Sequence, residues 1–118
     1  MRGFIDKLLA ADPNARIVTL GDLNDFEFSQ TTDILAGSGK TAMTDLPRTL
    51  PVNERYSYVY EGNSQILDHI LLSPKLAQPW LGLGKPPFNY DIVHTNSEFP
   101  DQDSDHDPQI VRMTVTPF

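Results

Sequence analysis

The stretch Gln65-Ile66-Leu67-Asp68-His69-Ile70-Leu71-Leu72-Ser73 (QILDHILLS) decides the fold. In an extended chain alternate side chains share a face. Ile66, Asp68, Ile70 and Leu72 therefore line one side, and Leu67, His69 and Leu71 the other. Both sides are largely apolar, which predicts a central strand covered on both faces. Asp68 is the anomaly, because a carboxylate inside such a strand is costly unless partnered. It is either a structural acid bonded to backbone or arginine, or an acid that holds an imidazole in one tautomer and orientation, as in hydrolytic sites. His106, which lies in another polar cluster, is the best candidate for that imidazole.

Working upstream, Tyr56 to Tyr60 (YSYVY) alternates aromatic residues, and Glu61-Gly62-Asn63-Ser64 separates it from residues 65–73. That pattern predicts a β-hairpin between the two runs. The tyrosines either pack as core, as alternate strand aromatics commonly do, or stack on bases. Residues 40–55, with Pro47 and Pro51, read as a long connection. Ser29 is a suitable N-cap for a short helix through Leu35, ended by Gly37 and Gly39. Arg16 to Leu20 (RIVTL) reads as a buried strand running into the polar turn Gly21-Asp22-Leu23-Asn24-Asp25. If the chain stays extended there, Asp22 and Asn24 point the same way. One can then hold a water or accept a proton while the other donates its amide to a phosphate oxygen; turn chemistry alone is the competing reading. Residues 2–10 form an amphipathic helix stopped near Asp12-Pro13-Asn14.

Downstream, residues 74–89 read as a surface loop, and 90–95 and 109–116 as strands. Between those strands lies an acidic loop, Asn96 to Pro108, in which Asp101, Asp103, Asp105 and Asp107 alternate. It is either a solvated loop or a metal site. A calcium loop of EF-hand type fails on inspection, because the glycine position holds His106 and the twelfth position holds Arg112. A carboxylate such as Asp105 suits a hard cation, and His106 beside it suits phosphate chemistry.

Composition narrows the function classes. The 118 residues suit one small domain or part of a larger one. The chain has no cysteine, which excludes disulfides, zinc-thiolate sites and cysteine nucleophiles while leaving the compartment open. A GxSxG elbow and a GxxxxGK[ST] phosphate loop are absent. Asp6 and Lys7 interrupt the apolar start, so it does not read as a signal peptide. No run approaches the roughly 20 apolar residues of a membrane span. The net charge of −7 repels a phosphate backbone at long range, so a nucleic-acid substrate needs an offsetting cation or a basic surface elsewhere.

Three segments, GDLND after a strand, LDHILLS on a strand and SDHDP before a final strand, resemble in this order the closing motifs of the endonuclease/exonuclease/phosphatase (DNase I-like) superfamily. The resemblance runs from about residue 16 to 115, and NERYSYVYEGNSQILDHILLSP looks most like bacterial, often secreted, nuclease-type members. It implies an α/β fold, a DNase I-like sandwich of which residues 1–118 supply mainly the C-terminal part. It also implies metal-dependent hydrolysis of a phosphodiester in nucleic acid. By match to the motifs, Asp22 positions the attacking water, Asn24 and His106 contact the scissile phosphate, Asp105 binds Mg2+ (or Mn2+ or Ca2+), and Asp68 orients His106. Other members of the superfamily that act on small or lipid phosphoesters, and a non-catalytic binding module, are the competing readings.

The family pattern also has a metal-binding Glu upstream of GDxN. Glu27, Glu54, Glu61 and Glu98 all follow Gly21-Asp22-Leu23-Asn24, so none of them fills that place. The expectation is therefore a partial domain, inactive alone, that associates with a missing N-terminal half or with a second copy of the chain.

Overall fold

Local sequence accounts for the two longer helices. In the computed structural model, which describes residues 1–25, 29–78 and 88–115, Arg2–Ala11 forms helix α1, with Ile5 and Leu9 turned inward. Asp12 ends it in an extended conformation just before Pro13. Gln30–Ala36 forms α2, whose first turn is closed by the Ser29 hydroxyl accepting from the Thr32 amide. Gly37 ends α2 at φ +76°, a left-handed conformation that L side chains rarely adopt. The space where a β-carbon would sit is taken by the Arg2 guanidinium, which donates to the Ala36 and Thr41 carbonyls.

The strands differ from the sequence reading in instructive ways. Strand β1 is Val18–Asp22, two residues later than expected, and it takes in Gly21 and Asp22, which had read as turn. It is not buried: Val18, Leu20 and Asp22 face outward. Thr44–Asp45 is a two-residue strand, β2, within the long connection, followed by the short 3-10 turns Leu46–Thr49 and Val52–Glu54. The predicted hairpin exists with a different second arm. Tyr58–Tyr60 (β3) pairs antiparallel with Asn63–Gln65 (β4), not with residues 65–73. Glu61 (φ +48°) and Gly62 (φ +80°) form a two-residue turn with both φ positive, the geometry that matches strand twist.

The apolar run is freed for a different place. Asp68–Leu72 (β5) lies between β1 and β2 in an antiparallel three-stranded sheet of order β1-β5-β2. Its position is central, as its two apolar faces require. Leu71 packs with Ile5, Leu9, Leu35, Ala36 and Met43 beneath the helices. Ile70 and Leu72 pack on the other side with Leu46 and Leu76, against Phe88, Tyr90, Val111 and Met113. Leu71 and Leu72 are fully buried, each worth about 1.5–3 kcal/mol.

Pro74–Ala77 forms a short helix, α3, where a loop was expected, with Ser73 preceding a proline suited to a first turn. Residues 79–87 of that expected loop and the expected strand end at Thr116 lie outside the described residues, as does Glu27, while Phe88 and Asn89, also expected as loop, are strand. Phe88–Ile92 (β6) and Gln109–Met113 (β7) form an antiparallel ribbon that covers the Ile70–Leu72 face of β5. The result is an α/β arrangement of helices, a three-stranded sheet and a ribbon, with every described strand pair antiparallel.

Candidate active site

The register of β1 on β5 ends with Asp22 opposite Asp68. Directly opposed residues in an antiparallel pair share a face, with β-carbons about 4.5–5.5 Å apart, and like charges there repel. The sheet therefore ends in two carboxylates that need a cation or a proton donor between them. His106 answers part of that need: its Nδ1 lies 2.6 Å from Asp68 Oδ2 and donates to it. Donor atoms of Asp22, Asp68 and His106 all fall within 4.8 Å of one another. These residues, with Leu20, Gly21 and Gln109, line a cleft of about 260 Å³.

Several contacts hold this geometry. The Ser57 hydroxyl donates to the same Asp68 oxygen at 2.7 Å, and it lies above the Leu67 and Asp68 amides, which donate to it. The Gln109 amide donates to the Asp68 carbonyl at 2.6 Å. Tyr58 and His106 form an isolated antiparallel bridge, and the Asp107 amide donates to the Ser57 carbonyl at 2.7 Å. The acidic loop is thus sewn to Ser57 and to Tyr58 at the start of β3.

Asp107 is the anchor of that loop. It is buried, and its carboxylate accepts from the Asn96 and Ser97 amides, from the Ser97 hydroxyl and from His94 Nδ1. Burial alone would raise its pKa, but these donors hold it below its ordinary value of 3.8. His94 bridges on to Glu54 with Nε2 at 3.0 Å and stacks on Tyr56 at 3.8 Å. Of the four alternating aspartates, Asp107 therefore turns inward while Asp101, Asp103 and Asp105 stay exposed.

The remaining sequence candidates fall as follows. Asp22 Oδ1 accepts from the Asn24 amide at 2.8 Å, and Asn24 adopts φ +50°. The chain turns rather than staying extended, so the idea that Asp22 and Asn24 project together from one extended segment fails; Asn24 is exposed on the turn. Asp105 sits on the rim, 78% exposed, with Oδ1 3.9 Å from His106 Nε2. His69 faces the opposite side of β5 from Asp68, fully buried, with Nδ1 3.0 Å from Asp45 and Nε2 2.8 Å from the Asp25 carbonyl.

Electrostatics favour the protonated form of His106 in its acidic setting. Partial burial lowers its pKa, but the Asp68 hydrogen bond and charge, with Asp22 and Asp105 behind, outweigh that and leave it above its ordinary 6.5. Carboxylates facing one another at a strand end, beside an imidazole, are hard donors that suit a divalent cation such as magnesium or calcium. Sequence reasoning missed Ser57, Asp107, Gln109 and the His94–Glu54 link, because each works through a long-range contact. The detectable signal was that a carboxylate within an apolar strand, Asp68, needs donors.

A family model described as "Endonuclease/Exonuclease/phosphatase family" matches residues 1–81. That stretch carries Asp22, Asn24 and Asp68, while the loop bearing Asp105 and His106 lies beyond it. No curated protein and no solved structure matches the chain.

Proposed function

The chain belongs to the endonuclease/exonuclease/phosphatase family, and on that premise we propose that it serves a divalent-metal-dependent phosphodiesterase that cleaves nucleic acid. The observation that carries the reading is the facing pair Asp22–Asp68 with His106 clamped at 2.6 Å. Asp22 and Asp68, with Asp105 joining from the rim, would hold Mg2+ (or Mn2+ or Ca2+). The bound cation supplies charge neutralisation at phosphate oxygens and a more acidic water. His106, oriented by Asp68, which also favours its protonated form, donates to a phosphate oxygen as charge grows there. Asp22 orients the attacking water, and Asn24 contacts the scissile phosphate from the turn.

The same reading makes the fold the C-terminal part of a DNase I-like sandwich, whose N-terminal half, or a second copy of the chain, completes the site. Three features support it. Among the described strands β1 has a neighbour on one side alone, β5. Leu20 and Ile110 are 68% and 60% exposed. The radius of gyration is 15.1 Å, against about 13.5 Å for a compact domain of this length.

The test is magnesium-dependent nicking of plasmid DNA by this chain and by an upstream-extended version, each beside its His106→Ala variant. Cleavage by the extended form, lost in the variant, is the expected result. Cleavage of small phosphoesters with none of plasmid would replace the nuclease reading. Full activity of the short chain as a monomer would remove the half-site proposal.

A further inference from the structure

The β3–β4 hairpin puts two tyrosines beside the phosphate end of the site. Tyr58 and Tyr60 are two residues apart on β3 and so share a face. The Tyr58 ring lies 5.0 Å from the His106 ring, tilted by 34°. The Tyr58 and Tyr60 rings are near-parallel, 11° apart in plane, with centroids separated by 6.4 Å. An aromatic row therefore runs outward from His106. Core packing does not explain its outer member, because Tyr60 is 54% exposed. Tight pairing of Tyr60 with Asn63 across a two-residue turn holds that end of the row in place.

The charged groups nearby do not favour recognition by cations. Asp22 and Asp68 line the cleft, and Asp105 Oδ1 lies 3.9 Å from His106 Nε2. Two arginines of the surrounding connection are engaged in the fold: Arg48 pairs with Asp33 and Asp45, and Arg55 donates to the Leu50 and Arg48 carbonyls. Among the described residues, Tyr58 and Tyr60 offer an aromatic surface beside His106 that can select a substrate.

We propose that Tyr58 and Tyr60 form a stacking platform for the nucleobase attached to the phosphate that His106 contacts, so that the ligand class is a nucleoside phosphate ester. The phosphate end of this inference rests on the phosphodiesterase reading; the base end rests on the ring geometry. Base–aromatic stacking tolerates any base, since every base has a flat face. A free nucleotide and a nucleotide within a strand present the same chemistry to the platform.

The experiment is titration calorimetry on the full chain with Mg2+ present, comparing thymidine 5′-phosphate with 2-deoxyribose 5-phosphate, which keeps the sugar phosphate and lacks the base. The expected preference for the base-bearing ligand is about 5- to 150-fold in Kd. Tyr60→Leu, at a position 54% exposed, should abolish the preference while leaving 2-deoxyribose 5-phosphate affinity unchanged; Tyr60→Phe should retain it. A four-residue oligothymidylate binding tighter than the monomer, with the same Tyr60 dependence, assigns the platform to a strand; equal binding assigns it to free nucleotides. Equal affinity for the two phosphates, binding of neither, or a preference that survives Tyr60→Leu would overturn the proposal. Base preference here, with no cleavage of plasmid or of small phosphoesters by the upstream-extended version, supports the platform and sinks the phosphodiesterase reading alone. Hydrolysis without base preference does the reverse.

Discussion

His106 Nδ1 and Asp68 Oδ2 stand 2.6 Å apart, and the Ser57 hydroxyl donates to the same oxygen at 2.7 Å. One carboxylate oxygen thus fixes a ring and is itself fixed by a buried serine.

Asp68→Asn is expected to cut kcat by about 10²–10⁴-fold on a phosphodiester substrate, with little change in KM. The amide keeps the Ser57 contact but no longer offers His106 Nδ1 a charged acceptor that favours its protonated form. Steady-state kinetics on the active form decides it; a large KM effect with kcat intact would mean that Asp68 acts in binding instead.

The His106 pKa is raised in the folded chain, so the sign of its pH effect is fixed. Its contribution to stability is fully present below the ordinary value of 6.5 and is lost as pH rises through the folded value. Denaturant unfolding in chelator, from slightly acid to mildly alkaline pH, should show that loss in the native chain and a flatter profile in His106→Gln. Asp107 works in the opposite direction. Its depressed pKa contributes stability above 3.8 that disappears as pH falls through the folded value.

Adding Mg2+ should stabilise the chain, because it relieves the repulsion between Asp22 and Asp68. At about 100 times its Kd a metal that binds the native state alone contributes ~2.7 kcal/mol. Thermal unfolding with and without the metal measures this, and Asp22→Asn should remove most of the shift.

Asp107→Ala deletes the acceptor for the Asn96 and Ser97 amides and the Ser97 hydroxyl. Each buried donor left without a partner costs about 1–3 kcal/mol. Amide hydrogen exchange at residues 96 and 97 should accelerate, and activity should fall with it. Unchanged protection would mean that the loop is held by the His106 main-chain contacts instead.

Much of the fold was legible where one residue's neighbours in sequence are also its neighbours in space. Helix α1 stops beside Pro13, Ser29 caps α2, and the two-sided apolar pattern of residues 66–72 put β5 in the middle of a sheet. The hairpin partner was misassigned because Asn63–Gln65 carries no apolar signal, and nothing local says that the stronger run is wanted elsewhere. Strand β1 read as buried because Ile17, Val18 and Leu20 are apolar, yet exposure is set by what covers a face. In the site, the Asp68–His106 juxtaposition could be suspected from the cost of a lone carboxylate in an apolar strand. Asp107 could not be told from Asp101, Asp103 and Asp105, since burial, not composition, separates them.

Asp68 and His69 are adjacent letters with unrelated duties. One serves the cleft and the other, through Asp45 and the Asp25 carbonyl, locks the underside. The strand backbone works as an insulating wall between two acid–imidazole circuits. The circuits can therefore be rewired separately: replacing the Asp45–His69 pair by well-fitted apolar residues should spare the cleft. A sequence motif that reads as one word is, in this molecule, two instructions printed side by side.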